Sequence, residues 1–194
     1  MAKDLAGRRI AILATDGVER VELDEPRRAV LDAGATVDLL SVHDGEIAAR
    51  NHDVEDAGTI AVDRLVGEAS VDDYDGLILP GGVGNPDKLR TDPAAVAFVR
   101  DFATSGKPIG VICHGPWTMI EADVVRGRRM TSFPSVRTDL RNAGAEVVDA
   151  EVVTDDGLVS SRKPDDLPAF CAKIVEEFAE GRHPAPTGGQ AGRS

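Results

Sequence analysis

Short apolar runs recur along the chain: Ile10-Ala11-Ile12-Leu13-Ala14, Leu77-Ile78-Leu79 and Ile109-Gly110-Val111-Ile112, with residues 37–42 a further run interrupted by Asp38 and Ser41. Runs of this length bounded by glycine or proline fit strands buried on both faces. Between them apolar residues recur every three or four positions, which predicts helices. One carries Leu23, Pro26, Val30 and Ala33 from about residue 22 and stops at Gly34. A second opens on Asp92-Pro93, carries Ala95, Val99 and Phe102, and ends at Gly106, with the capping residue and first-turn proline expected of a helix start. Residues 117–125 and 136–143 read as two more, and Leu167, Phe170, Cys171, Ile174 and Phe178 form the stripe of a last one. Residues 129–132, 146–148, 151–154 and 157–160 read as strands. Residues 43–56 read as a polar connection, and within 58–74 only 59–62 suggests a strand.

Alternating strands and helices predict an α/β fold, a three-layer sandwich with a mostly parallel central sheet and helices on both faces, joined by right-handed crossovers. One domain is expected over residues 8–180, after an N-terminal extension (1–7). A tail rich in proline, glycine and polar residues (181–194) is predicted to be disordered.

Composition narrows the function. The 194 residues, 42% of them hydrophobic, can bury one good core. Thirty-four acidic against 22 basic residues leave a formal net charge of -12, which opposes the phosphate contacts of nucleic-acid and anionic-membrane binding. No run has membrane-span length and the start lacks a signal-peptide core, so the cytoplasm is the expected location. The two cysteines, Cys113 and Cys171, build no disulfide framework and suit a reducing compartment. Neither a metal nor a cofactor is expected, since His43, His52 and His183 show no ligand spacing with Cys113.

The chemistry gathers at strand ends. Cys113 follows the run 109–112 and precedes Gly115-Pro116, so it sits at a strand-to-helix turn, where helix-start amides favour the thiolate. Free cysteines are ordinarily small buried hydrophobes, and Cys171, on an apolar helical stripe, fits that description. Cys113, with His114 beside it, fits a nucleophile with a candidate base. In a parallel sheet, Gly17-Val18-Glu19 and Leu79-Pro80-Gly81-Gly82 end on the same edge, where ligands bind. Glu19 places a carboxyl near the thiol, and Gly81-Gly82 can turn amides toward an oxyanion.

These motifs, together with Gly127-Arg128-Arg129-Met130-Thr131-Ser132 and Val159-Ser160-Ser161-Arg162, make the chain similar to the PfpI family of intracellular cysteine peptidases, in the class I glutamine amidotransferase-like superfamily of flavodoxin-like folds. The resemblance implies Cys113 as nucleophile and Glu19 as the glutamate that hydrogen-bonds it. It implies His114 as the adjoining histidine, and Gly82 and His114 amides, with Gly81 in the same loop, as the oxyanion pocket. Asp87, with an inexact loop match, corresponds to an acid that reaches the histidine of a second subunit. A glutaminase is argued against, because no His-x-Glu pair follows Cys113. The family also implies a homodimer or larger homo-oligomer. Its substrates are peptides, or small carbonyl compounds such as methylglyoxal and its protein adducts. Outside catalysis, Cys113 could serve a redox or stress sensor, or the chain a chaperone.

Overall fold

The computed structural model describes residues 4–183. The expected extension and tail therefore fall partly outside the described residues, which exclude 1–3 and 184–194. In chain order come β1 (Arg9–Leu13), β2 (Val18–Glu19), α1 (Arg20–Asp32), β3 (Thr36–Ser41), β4 (Glu46–Asn51), β5 (Glu55–Ala61), β6 (Arg64–Leu65) and β7 (Gly76–Leu79). They are followed by α2 (Gly84–Leu89), α3 (Pro93–Thr104), β8 (Ile109–Ile112), α4 (Pro116–Glu121), β9 (Arg129–Met130), α5 (Arg137–Asn142), β10 (Glu146–Val147), β11 (Val152–Asp155), β12 (Leu158–Ser161) and α6 (Leu167–Glu180).

Seven strands form the main sheet in the order β11-β12-β8-β7-β1-β3-β6. All pair in parallel except β11, which runs antiparallel to β12 as a hairpin. Strand side chains alternate between faces. Ile10, Ile12, Ile78 and Ile112 pack with Leu23 and Val30 of α1 and Phe170, Ile174 and Phe178 of α6. Ala11, Leu13, Leu77, Leu79 and Val111 pack on the other face with Phe98, Val99 and Phe102 of α3 and Met119 of α4. Two covered faces explain why the central strands read as continuous apolar runs. Each large side chain buried this way contributes about 1.5–3 kcal/mol. The parallel register brings Leu79 opposite Val111 and Ser161 opposite Ile112, so the carboxyl ends of the central strands share one edge.

Several elements differ from expectation. Residues 46–61 form a hairpin, β4 against β5, instead of a polar connection and one short strand. Its outer face is in water, so only Ile47, Ala49 and Ile60 are buried and no apolar run marks it. The helix expected over 117–125 ends at Glu121, because Asp123 takes φ 55°. Helix α2 was not expected. Helix α1 begins at Arg20 instead of about residue 22. Pro26 therefore lies inside it and cannot donate to the Glu22 carbonyl four residues earlier.

Candidate active site

Cys113 occupies the turn from β8 into α4 with φ 63°, a left-handed conformation that costs a non-glycine residue about 1–3 kcal/mol. Neighbours hold it there. Its amide donates to Ser161 O (3.1 Å), its carbonyl accepts from Phe133 N (3.0 Å), and Gly115 N closes the turn on Ile112 O (2.9 Å). A Cβ at Gly115 would stand 2.7 Å from Leu79 O, so only glycine fits. The thiol is turned toward the shared sheet edge and is nearly sealed, at 6% exposure.

The carboxyl engaged with this thiol belongs to Glu22, not to Glu19. Glu22 is the third residue of α1 and fully buried. Its Oε2 accepts from Gly81 N (2.8 Å), and Oε1, buried, has no hydrogen-bond partner among the described residues. Burial, the largest influence, raises its pKa from 4.5 to about 8. The carboxyl therefore holds its proton at neutral pH.

Glu19 does different work. It precedes α1 in extended conformation, and its carboxylate accepts the amides of His52 (3.1 Å) and Asp53 (3.1 Å) at the tip of the β4–β5 hairpin. Both hairpin residues have positive φ, at 51° and 66°. Asp53 Oδ1 in turn accepts from Val83 N (2.6 Å), next to the glycine loop. Glu19 thus clamps the hairpin over the site and leaves the thiol to Glu22, so the expectation that Glu19 bonds the thiol is corrected.

The glycine loop is divided between two tasks. The amides of Gly82 and His114 are directed at the Cys113 sulfur, where they favour the thiolate. The Gly81 amide is not available for that purpose, because it is spent on Glu22. Close approach fixes both glycines. A Cβ on Gly81 would meet Cys113 Cβ at 2.6 Å, and one on Gly82, whose φ is 78°, would meet Glu19 N at 2.7 Å. Asn85, fully buried, holds the loop against the end of β1: Nδ2 donates to Pro80 O (3.0 Å) and Gly81 O (3.1 Å), and Oδ1 accepts from Thr15 N (2.8 Å).

His114 Nδ1 lies 3.1 Å from Cys113 Sγ and Nε2 lies 3.1 Å from Ser135 Oγ. Its ring stacks on Phe133 (4.6 Å between centroids) and meets Trp117 edge-on (5.1 Å). Burial lowers its pKa, against the pull of the Asp53 carboxylate, so the imidazole is neutral at pH 7. Burial pushes the Cys113 thiol up, and the Glu22 carboxylate adds to this when ionised. The amides of Gly82 and His114 pull the other way. The expected pull of the helix-start amides toward the thiolate is present at His114, but α4 is six residues long and burial outweighs it, so the net shift is upward.

Asp87 is not brought to His114 within the subunit. It lies on α2 with a 58% exposed side chain paired with Arg90 (3.0 Å), and the Arg90 guanidinium covers Trp117. Cys171 is half-buried on α6, away from the thiol site. Glu177, Glu180 and His183 bring ligand atoms within 4.8 Å of one another near the end of α6; this group shares no residue with the Cys113 site.

An acid at the start of a helix, a thiol in a left-handed strand-to-helix turn, and two amides aimed at its sulfur are the features to match in known proteins. The DJ-1/PfpI family pattern matches residues 8–177. The chain belongs to the DJ-1/PfpI family. Among similar proteins, protein/nucleic acid deglycase 2 of Escherichia coli (strain K12) is 43% identical over 164 residues, covering 84% of this chain and 93% of that protein. A protein of Bacillus subtilis (strain 168), YraA, provisionally named a cysteine protease, is 37% identical over 163 residues, covering 84% and 94%. A two-domain protein of Anabaena variabilis with DJ-1/ThiJ/PfpI-like and ferritin-like domains superposes with a TM-score of 0.83 at 33% identity, over 88% of this chain and 48% of that one. The α/β fold of this DJ-1/PfpI chain agrees with that neighbour. No helix among the described residues is long and apolar enough to cross a membrane.

Proposed function

We propose that this DJ-1/PfpI protein is a cysteine-dependent hydrolase or lyase acting on small electrophilic carbonyl compounds, of the glyoxalase or deglycase kind. The Cys113 sulfur adds to the carbonyl carbon as the thiol proton passes to His114, or to Glu22 once that carboxyl is ionised. The C=O electron pair moves to oxygen, where the Gly82 and His114 amides hold the developing charge. The same groups return a proton to that oxygen or to the departing group.

One observation carries the choice of a small substrate: Cys113 is 6% exposed, with the hairpin tip clamped by Glu19 and tied to Val83 beside it. A small aldehyde reaches such a sulfur more readily than an extended peptide. The name of the Escherichia coli relative supports the deglycase side, and that of YraA the peptidase side.

Purified protein assayed on methylglyoxal, on a methylglyoxal-modified thiol and on a fluorogenic peptide separates these activities. We expect turnover of the first two, with Cys113→Ser reducing it by about 10³-fold or more. Equal activity in Cys113→Ser, or turnover of the peptide alone, would overturn the proposal.

A further inference from the structure

We propose that Asn85 is the positioning residue of the glycine loop: its single carboxamide sets the direction of the Gly81 amide, which holds Glu22, and of the Gly82 amide, which faces Cys113. This inference rests on the thiol chemistry proposed above. A peptide group is planar and trans, so the C=O of one residue and the N–H of the next point in opposite directions. Whatever holds the carbonyl therefore aims the following amide. Asn85 Nδ2 donates to Pro80 O (3.0 Å), and on the far side of that peptide plane Gly81 N donates to Glu22 Oε2 (2.8 Å). The same Nδ2 donates to Gly81 O (3.1 Å), which also accepts from Glu19 N (3.3 Å). The Gly82 N–H is thereby turned away from Asn85 and Glu19, toward the Cys113 sulfur.

The two glycines need such a device. They have the widest backbone freedom of any residue, and close packing against Cys113 and Glu19 forbids a side chain that would restrict it. Direction must then come from hydrogen bonds. The fully buried carboxamide can take only one orientation: its oxygen accepts from Thr15 N (2.8 Å) and two carbonyl oxygens face its nitrogen, so exchanging O for N would break all three bonds. Gly17, with φ 92°, lets α2 bring Asn85 this near, because a Cβ there would stand 3.1 Å from Gly84 Cα and 3.3 Å from Asn85 N. Beyond Gly82 the chain is held separately, by Asp53 Oδ1 on Val83 N (2.6 Å). A carboxylate cannot hold a carbonyl, so the two peptide planes before Val83 depend on Asn85, with Glu19 N a longer second donor to one of them.

Asn85→Asp, which keeps the shape and the acceptor for Thr15 N, and Asn85→Ser, which is too short to reach the carbonyls, are compared with the parent protein, and chemical denaturation identifies the folded variants. Pro80-Gly81 is the one Pro-Gly pair in the sequence, so ¹³C′-proline and ¹⁵N-glycine labelling isolates the Gly81 amide by NMR. In both variants that signal is expected to move, and alkylation of Cys113 by iodoacetamide at pH 7 to slow by about three- to tenfold, the size of one hydrogen bond. On methylglyoxal, kcat is expected to fall by about 10- to 100-fold with KM within about twofold, since an oxyanion donor is misaimed and not removed. A residue that only fills space would leave all of these at parent values in Asn85→Asp. The Gly81 signal or the alkylation rate unmoved in a folded variant, or an unmoved kcat where the parent turns over, would overturn the inference. If neither variant folds, the parent decides: the Asn85 carboxamide protons are expected to exchange with water far more slowly than those of exposed Asn51, and equal rates would overturn the inference. The NMR and alkylation readouts need no turnover, so a chain inactive on every carbonyl offered but showing both changes would fail the proposed function and keep Asn85 in this role.

Discussion

Replacing Glu22 by glutamine is expected to lower kcat/KM by about 10²–10³-fold, whereas Glu19→Gln lowers it by less than about tenfold. Glutamine has nearly the shape of glutamic acid, so the Gly81 amide keeps its acceptor and the loop its position. What disappears is a carboxyl proton beside the sulfur that can be given up and recovered, which is the part of general acid–base catalysis worth this much. Glu19 does not touch the sulfur. Its carboxylate receives two hairpin amides, and an amide side chain keeps one acceptor oxygen for them. Kinetics of the two variants on methylglyoxal check the ranking, and a larger loss at Glu19 would reverse the assignment.

The second large effect is on stability. The Glu22 pKa is about 8 in the folded protein against 4.5 for the free side chain, so the folded state binds this proton more tightly than the unfolded one. Its contribution is fully present below about pH 4.5 and is lost as pH rises through about 8, because a buried carboxylate is then left ionised. A shift of this size corresponds to about 3–5 kcal/mol, a large part of the stability of an ordinary domain. Chemical denaturation at pH 5 and pH 9 is therefore expected to show the parent losing stability relative to Glu22→Gln by this order. A difference that does not change with pH would show that Glu22 is ionised in the folded protein.

Much of this architecture was legible in the residue pattern, and the misses have physical causes. The strands β1, β7 and β8 announced themselves because both faces are covered. The β4–β5 hairpin did not, since one face is in water, Gly58 interrupts β5 and the register shifts between Ala48 and Arg50. Cys113, His114 and Gly82 were readable from their turn chemistry. The choice between Glu19 and Glu22 depended on where α1 begins. With Arg20 as first residue, Glu22, Pro26 and Val30 fall four apart on the buried stripe. An acid on an apolar stripe is costly unless it has a task, and that signal was present in the sequence. Ser135 and Asn85 had no such signal. Each acts through contacts between residues distant along the chain, Ser135 with His114 and Asn85 with Thr15, and a serine or asparagine near a proline reads as ordinary turn chemistry.

The most direct test of the Cys113–Glu22 pair is the pH dependence of the rate at which iodoacetamide alkylates Cys113, measured by mass spectrometry in the parent, Glu22→Gln and Glu19→Gln. Below the titration of Glu22 the pair holds two protons and only His114 is left to take the one on the thiol; above it a carboxylate stands ready as well. The parent and Glu19→Gln are expected to show a rate that rises to an inflection near pH 8, and Glu22→Gln to lack that inflection. An inflection that survives in Glu22→Gln, or one that vanishes in Glu19→Gln, would contradict the pairing of Cys113 with Glu22.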